Sequence, residues 1–143
     1  MSLSLLSNPA FVASLTDVVN ATSGFDFLLH PVGVNADYDD TCTFSIATNK
    51  DSDSSTPTYL WKYAIGNENK SFTSSEGTAF SDGGNVSGAT GTTLTLENLT
   101  DSDDYVTDEF DGRPTWVRCF VTHSATTIRS RPAVLRVGSE PNE

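Results

Sequence analysis

The sequence predicts an all-β fold, a two-layer antiparallel β-sandwich, and three observations carry that reading. Several short stretches alternate apolar and polar residues with a period of two, as Cys42, Phe44 and Ile46 do against Thr41, Thr43 and Ser45. Such alternation marks strands with one face in a core and one in water. Each stretch is bounded by Gly, Pro, Asn, Asp or Ser clusters that favour turns. No long helical pattern follows residue 24. At 143 residues and 36% hydrophobic, the chain suits one domain with a core and some length to spare.

Three parts are expected: an arm over residues 1–24, a sandwich over 25–138 and a polar tail over 139–143. In the arm, Asn8 suits a helix N-cap and Pro9 the first helical position. Phe11, Val12, Leu15, Val18 and Val19 then share one helical face, and Gly24 supplies a stop. The arm is thus helical by pattern, or else extended. A short helix cannot bury such a face by itself, so it docks on its own domain or on another molecule.

The first strand is expected over Phe25–Pro31, with Phe25, Phe27 and Leu29 of one parity, followed by a polar turn over 35–40. Thr41–Ala47 is the second strand. Residues 49–57 form a long loop without apolar anchors, and Thr58–Ile65 is a strand carrying Tyr59, Trp61 and Tyr63 on one face. Residues 66–84 are the least regular; Phe72 and Phe80 tie them to the core, around short edge strands. The Gly-bracketed stretch from Gly88 leads into a strand with Leu94 and Leu96 inward, then Leu99 at an acidic turn. Residues 101–114 make a longer acidic connection. Thr115–His123 follows with Val117, Cys119 and Val121 inward, which leaves Trp116, Arg118 and Phe120 on the opposite face. Residues 124–128 turn the chain and Arg131–Val137 closes the sandwich.

The order Cys42, Trp61, Leu94-x-Leu96-x-x-Leu99, Cys119 resembles an immunoglobulin-like domain over about residues 25–138, and the stretch SGATGTTLTLENLTDSD resembles the bacterial and bacteriophage variety. The resemblance implies an immunoglobulin-like sandwich of about seven or eight strands, with Cys42 and Cys119 as the inter-sheet pair and Trp61 packed on them. A bond between the two cysteines would close a loop of roughly 78 residues, worth on the order of 4 kcal/mol. In a reducing compartment they would instead pack as small hydrophobes. The pattern departs from the family in two places. Val117 stands where the family has the tyrosine of the tyrosine corner, and the usual approach to that strand is replaced by an acidic insertion ending Asp111-Gly112-Arg113-Pro114. The corner hydrogen bond is therefore lost or made by another group, such as Tyr105.

A formal net charge of −11 argues against sequence-independent nucleic-acid binding, because little would displace counterions from a phosphate backbone. The first basic residue is Lys50, and all five arginines lie from Arg113 onward. No run reaches membrane-spanning length. Residues 1–21 carry no Lys or Arg and their apolar run is broken by Ser7, Asn8 and Pro9, so no secretory signal is expected. His30 and His123 belong to no nucleophile, zinc or phosphate-loop motif, and no enzyme activity or cofactor is expected. Carboxylates gather at 37–40, at 51–53 and at 101–111. Oxygen-rich loops can hold calcium, and Asp101, Asp103, Asp104 and Asp108 are the candidate ligands. Asn-x-Ser/Thr sequons at Asn20, Asn69, Asn85 and Asn98 are weak signals in a chain rich in Ser and Thr.

What the resemblance implies for function is a structural protein of a bacteriophage virion: a capsid decoration protein or another head or tail accessory. Its partners would be capsid or tail proteins, contacted through the arm and through Trp116 and Phe120, with host-surface or glycan contact in addition. The alternative is a secreted or cell-surface adhesion or carbohydrate-binding domain. That domain would use the 49–57 loop, the turn after His123, and aromatics such as Trp116 or Tyr105.

Overall fold

The computed structural model describes residues 24–107 and 113–138. The arm with Phe11, Val12, Leu15, Val18 and Val19, the segment 108–112 with Asp108, and the tail 139–143 lie outside the described residues. Eleven strands are present among the described residues: β1 (Phe27–Leu29), β2 (Val34–Ala36), β3 (Cys42–Ser45), β4 (Ala47–Thr48), β5 (Thr58–Ile65), β6 (Thr78–Ala79), β7 (Val86–Ser87), β8 (Thr93–Leu96), β9 (Thr115–His123), β10 (Thr126–Arg129) and β11 (Ala133–Val137). One layer runs β2-β11-β9-β5-β6, with β10 also on β9. The other is built from β3-β8-β7 and the β1-β4 pair. Pairing is antiparallel throughout except between β2 and β11, which run parallel.

Inward side chains of both layers meet in one core. Phe44, Trp61, Leu94, Leu96, Leu99, Val117, Cys119, Val121 and Leu135 are fully buried. This is the inward parity expected of strands β3, β5, β8 and β9. Trp61 stands directly across from Cys119 in the β5–β9 ladder, and its ring lies 6.4 Å from that of Phe44 on the other sheet. Tyr63, Phe80 and Tyr105 form a second aromatic group, with centroids 4.9–6.0 Å apart, so Phe80 anchors its segment as expected.

The turn at Gly88–Gly91 secures Trp61. The indole Nε1–H donates to the Gly91 carbonyl at 2.8 Å, and the Trp61 backbone N–H donates to Ala89 at 3.0 Å. Gly88 has φ +77°, and a Cβ there would overlap the Thr93 carbonyl oxygen. Only glycine suits both the left-handed conformation and the close approach.

The missing corner tyrosine is replaced by a shorter hydroxyl. Fully buried Thr115, the first residue of β9, donates its side-chain O–H to the Tyr105 carbonyl at 2.9 Å. Tyr105 thus takes part through its backbone rather than its phenol.

Several boundaries differ from expectation. The expected second strand, Thr41–Ala47, is two strands, β3 and β4, which pair with β8 and β1 respectively. The first strand is shorter, because a register shift between Phe27 and Leu29 breaks its alternation and Pro31 cannot donate to a ladder. The chain then crosses to the other sheet as β2, so Asn35 and Ala36 belong to a strand and the turn begins at Asp37. Gly33 permits the crossing, since a Cβ there would lie 2.8 Å from the Val134 side chain. The turn after β9 is only Ser124 and Ala125, with φ of 51° and 68°, and Thr126–Arg129 is already strand.

Two outcomes follow from this packing. Gly88→Ala should destabilise the domain by about 2–4 kcal/mol, the sum of a left-handed penalty and overpacking; a denaturation midpoint within error of the parent would contradict the fit. Burial, with Asp40 second, pushes the Cys42 thiol up to about 11. Burial likewise pushes Cys119 up to about 12 and, with Asp103 second, Tyr105 up to about 12. Each group is neutral when protonated, and the folded state holds its proton more tightly than the unfolded chain does. Its stabilising contribution is therefore complete below the ordinary values of 9.0 and 10.0 and is lost as pH climbs through the folded values. The melting temperature should fall progressively from about pH 9 to 12; a flat profile over that range would contradict it.

Candidate functional site

The face of β9 turned away from the core is where outward aromatics were expected to be free for contact. Trp116, Arg118 and Phe120 do share that face, but residues 66–77 fold across it and cover most of it. Phe72 packs on Phe120 with centroids 5.8 Å apart, and Phe120 is left only 5% exposed. Phe72 therefore anchors its segment to the outer face of the sheet rather than to the central core. Trp116 is half-buried; its Nε1–H donates to the Gly66 carbonyl at 3.1 Å and Lys70 Nζ sits 5.4 Å from its ring. The expectation of an open aromatic face is thus corrected: Phe120 is covered, and Trp116 is engaged on two sides.

Basic side chains hold this cover in place. Arg118 Nη1 donates to the Phe72 carbonyl at 2.9 Å, Arg129 Nη1 to Ser71 at 3.0 Å, and Lys62 Nζ to Ser74 at 2.7 Å. Arg118 is only 7% exposed and its Nε has no hydrogen-bond partner. Burial, with the nearby Arg129 charge second, lowers its pKa from the ordinary arginine value. Among the described residues none of these three cations forms a salt bridge to a carboxylate. They are held by neutral carbonyl oxygens, which satisfy donors without cancelling charge.

At one end of the sandwich Asp51 organises the 49–57 loop. It accepts hydrogen bonds from the Thr48 N–H at 2.9 Å, the Thr48 hydroxyl and the Tyr59 hydroxyl at 2.8 Å. Burial and the bond to Asp51 raise the Tyr59 pKa well above the ordinary tyrosine value. His123 Nε2 lies 3.2 Å from Asp53 Oδ2 without hydrogen-bond alignment, so the loop and the turn after β9 meet there. His30 accepts the Arg131 N–H on Nδ1 at 3.0 Å, which leaves the proton on Nε2. Its pKa is lowered by burial and then by Arg131.

Cys42 and Cys119 are both buried free thiols in this structure. Their raised pKa values leave little thiolate at neutral pH, so they act here as core residues. Among the described residues no three His, Cys, Asp or Glu side chains converge on a point that could hold a metal ion. Of the carboxylates considered for calcium, Asp103 accepts the Thr100 N–H at 3.0 Å within its own turn. Tyr105 is only 7% exposed, which removes it as a stacking platform for a ligand.

Sequence reasoning missed one surface. Leu28, Leu29 and Val32 are 54%, 48% and 74% exposed, close to the junction with the arm. A strict period of two places Leu29 inward beside Phe27; the register shift turns it out. The adjacent Leu28-Leu29 pair, which no alternating strand can bury on one side, was the available signal.

No protein-family model matches the chain, and no curated protein matches it in sequence. Solved structures do match in shape. The chain is similar to the tandem Ig repeats of Dlar, with a TM-score of 0.55 at 15% identity over 81% of this chain and 49% of that one. It is similar to the N-terminal four Ig domains of Dscam1, with a TM-score of 0.53 at 14% identity over 81% and 26%. For a titin complex with an obscurin-like 1 Ig mutant the values are 0.51 and 14%, over 81% and 95%. The chain spans about half the length of the Dlar structure. At these identities the likeness concerns the fold, and the fold is an immunoglobulin-like β-sandwich.

Proposed function

We infer that the chain is a non-enzymatic structural and interaction module of a bacteriophage virion, a capsid decoration protein or another head or tail accessory. The observation that carries this reading is the exposed apolar surface of Leu28, Leu29 and Val32, next to an N-terminal segment whose Phe11, Val12, Leu15, Val18 and Val19 share one helical face. An exposed apolar surface on a well-filled sandwich, preceded in sequence by a segment with an apolar helical pattern, suits burial against another protein, at about 25 cal/mol per Å². The arm is the anchor in this reading, and capsid or tail proteins are the partners. The resemblance of the SGATGTTLTL stretch to bacteriophage immunoglobulin-like domains supplies the particle. Trp116 belongs to the contact surface only through its exposed part, and Phe120 only if the 66–77 cover is displaced.

A secreted or cell-surface adhesion domain is the second reading. It is favoured by the meeting of the 49–57 loop with the turn after β9 through Asp53 and His123. Sandwich-end loops positioned by a rigid framework are common binding surfaces.

Deletion of residues 1–24 is expected to abolish incorporation into particles while the remaining domain keeps a cooperative melt. Undiminished incorporation of the folded, truncated protein would overturn the anchoring role.

A further inference from the structure

Among the described residues, β10 of the larger sheet is paired along one edge only. β10 pairs with β9 on one side. The strand that could flank it on the other side, β2, pairs only with Leu135–Val137 of β11. In an antiparallel ladder, alternate residues turn their N–H and C=O groups away from the partner. The outward groups of Thr126–Arg129 find no hydrogen-bond partner among the described residues. Open edges of this kind recruit further strands unless they are covered or blocked.

A groove of about 510 Å³ runs along this edge. Phe27, Phe120 and Ile128 give it an apolar lining, His30 and Asp26 stand on the β1 side, and Arg129 stands at the strand itself. Asp26 already accepts the Phe27 N–H at 2.8 Å. Arg129 is exposed and spends one nitrogen on the carbonyls of Ser71 and Phe72. The rest of its five N–H donors remain for a ligand. Arg118 lies nearby, buried and without a carboxylate among the described residues. On a chain of net charge −11, this edge carries Arg129 and nearby Arg118 without an ion pair among the described residues, with Asp26 as the carboxylate lining the groove.

We propose that the open edge of β10 binds an extended acidic segment of a partner protein. The segment adds as a strand beside Thr126–Arg129, sets a carboxylate on Arg129 and lays an apolar side chain over Phe27 and Ile128. Backbone pairing supplies affinity in this mode, and alternate side chains supply selectivity. Arginine meets a carboxylate through two parallel hydrogen bonds, a geometry the neutral carbonyls do not use. The proposal does not depend on the particle reading.

The test is a titration of the full chain, followed by amide nitrogen–proton spectra, with a capped hexapeptide of alternating Asp and Val. A capped hexapeptide of alternating Lys and Val is the control. Saturating shifts at Thr126–Arg129 and His30 are expected with the acidic peptide alone, and Arg129→Gln should weaken its binding about tenfold. No shift at those residues with millimolar acidic peptide would overturn the proposal, as would equal binding of the two peptides. Concentration-dependent changes at Thr126–Arg129 without peptide would also overturn it, by assigning the edge to a second copy of the chain. These three outcomes are read on the parent protein, so the proposal stays testable even if the Arg129 variant fails to fold.

Discussion

Trp61 is held by backbone on three sides, and the alignment of the two layers follows from how it is held. Its indole donates to Gly91, its N–H donates to Ala89, and its carbonyl accepts the Phe80 N–H at 2.9 Å. A fully buried indole N–H without a partner would cost about 1–3 kcal/mol, so the Gly88–Gly91 turn cannot move far without penalty. That turn leads directly into β8, whose Leu94 and Leu96 pair across from Phe44 and Cys42. A single aromatic side chain thus ties an interior strand of one layer, β5, to the middle strand of the other, β8. Phe80 and Ala89 complete the enclosure by bringing the irregular 66–91 connection onto β5.

The parts of the fold legible in the sequence are those where one physical requirement dominates. β5 and β9 run over the expected residues because both are long, interior to the sheet and flanked by turn signals. Inward parity in β3, β8 and β9 could be read because burial on one face enforces a period of two. Legibility ended where a non-local contact decided the outcome. The β1 register shift, the crossing at Pro31–Gly33 and the early start of β10 depend on strands that arrive from elsewhere in the chain. The outward parity of Phe120 was readable, but its cover was not. Phe72 is one apolar residue in a polar stretch, and nothing local shows which sheet face it will reach.

The same limit separates the fold from the candidate sites. Leu94, Leu96 and Leu99 identify a sandwich and are wholly consumed in building it, which is why a shared fold says little about partners. The informative departures are those the core does not require: exposed Leu28, Leu29 and Val32, an unpaired strand edge, and cations satisfied by carbonyls rather than by the chain's abundant carboxylates. Charge counting along the sequence shows an acidic protein with late arginines. Only the sheet brings Lys62, Arg118 and Arg129 onto one face, because β5, β9 and β10 are neighbours in space.

The central claim, that the clamp on Trp61 opens only when the whole sandwich does, is tested most directly by native-state hydrogen exchange of the Trp61 indole N–H. The account predicts exchange as slow as the slowest β9 amides, with the full denaturant dependence of global unfolding. Faster exchange with little denaturant dependence would mean that the Gly88–Gly91 turn opens locally, and would contradict it.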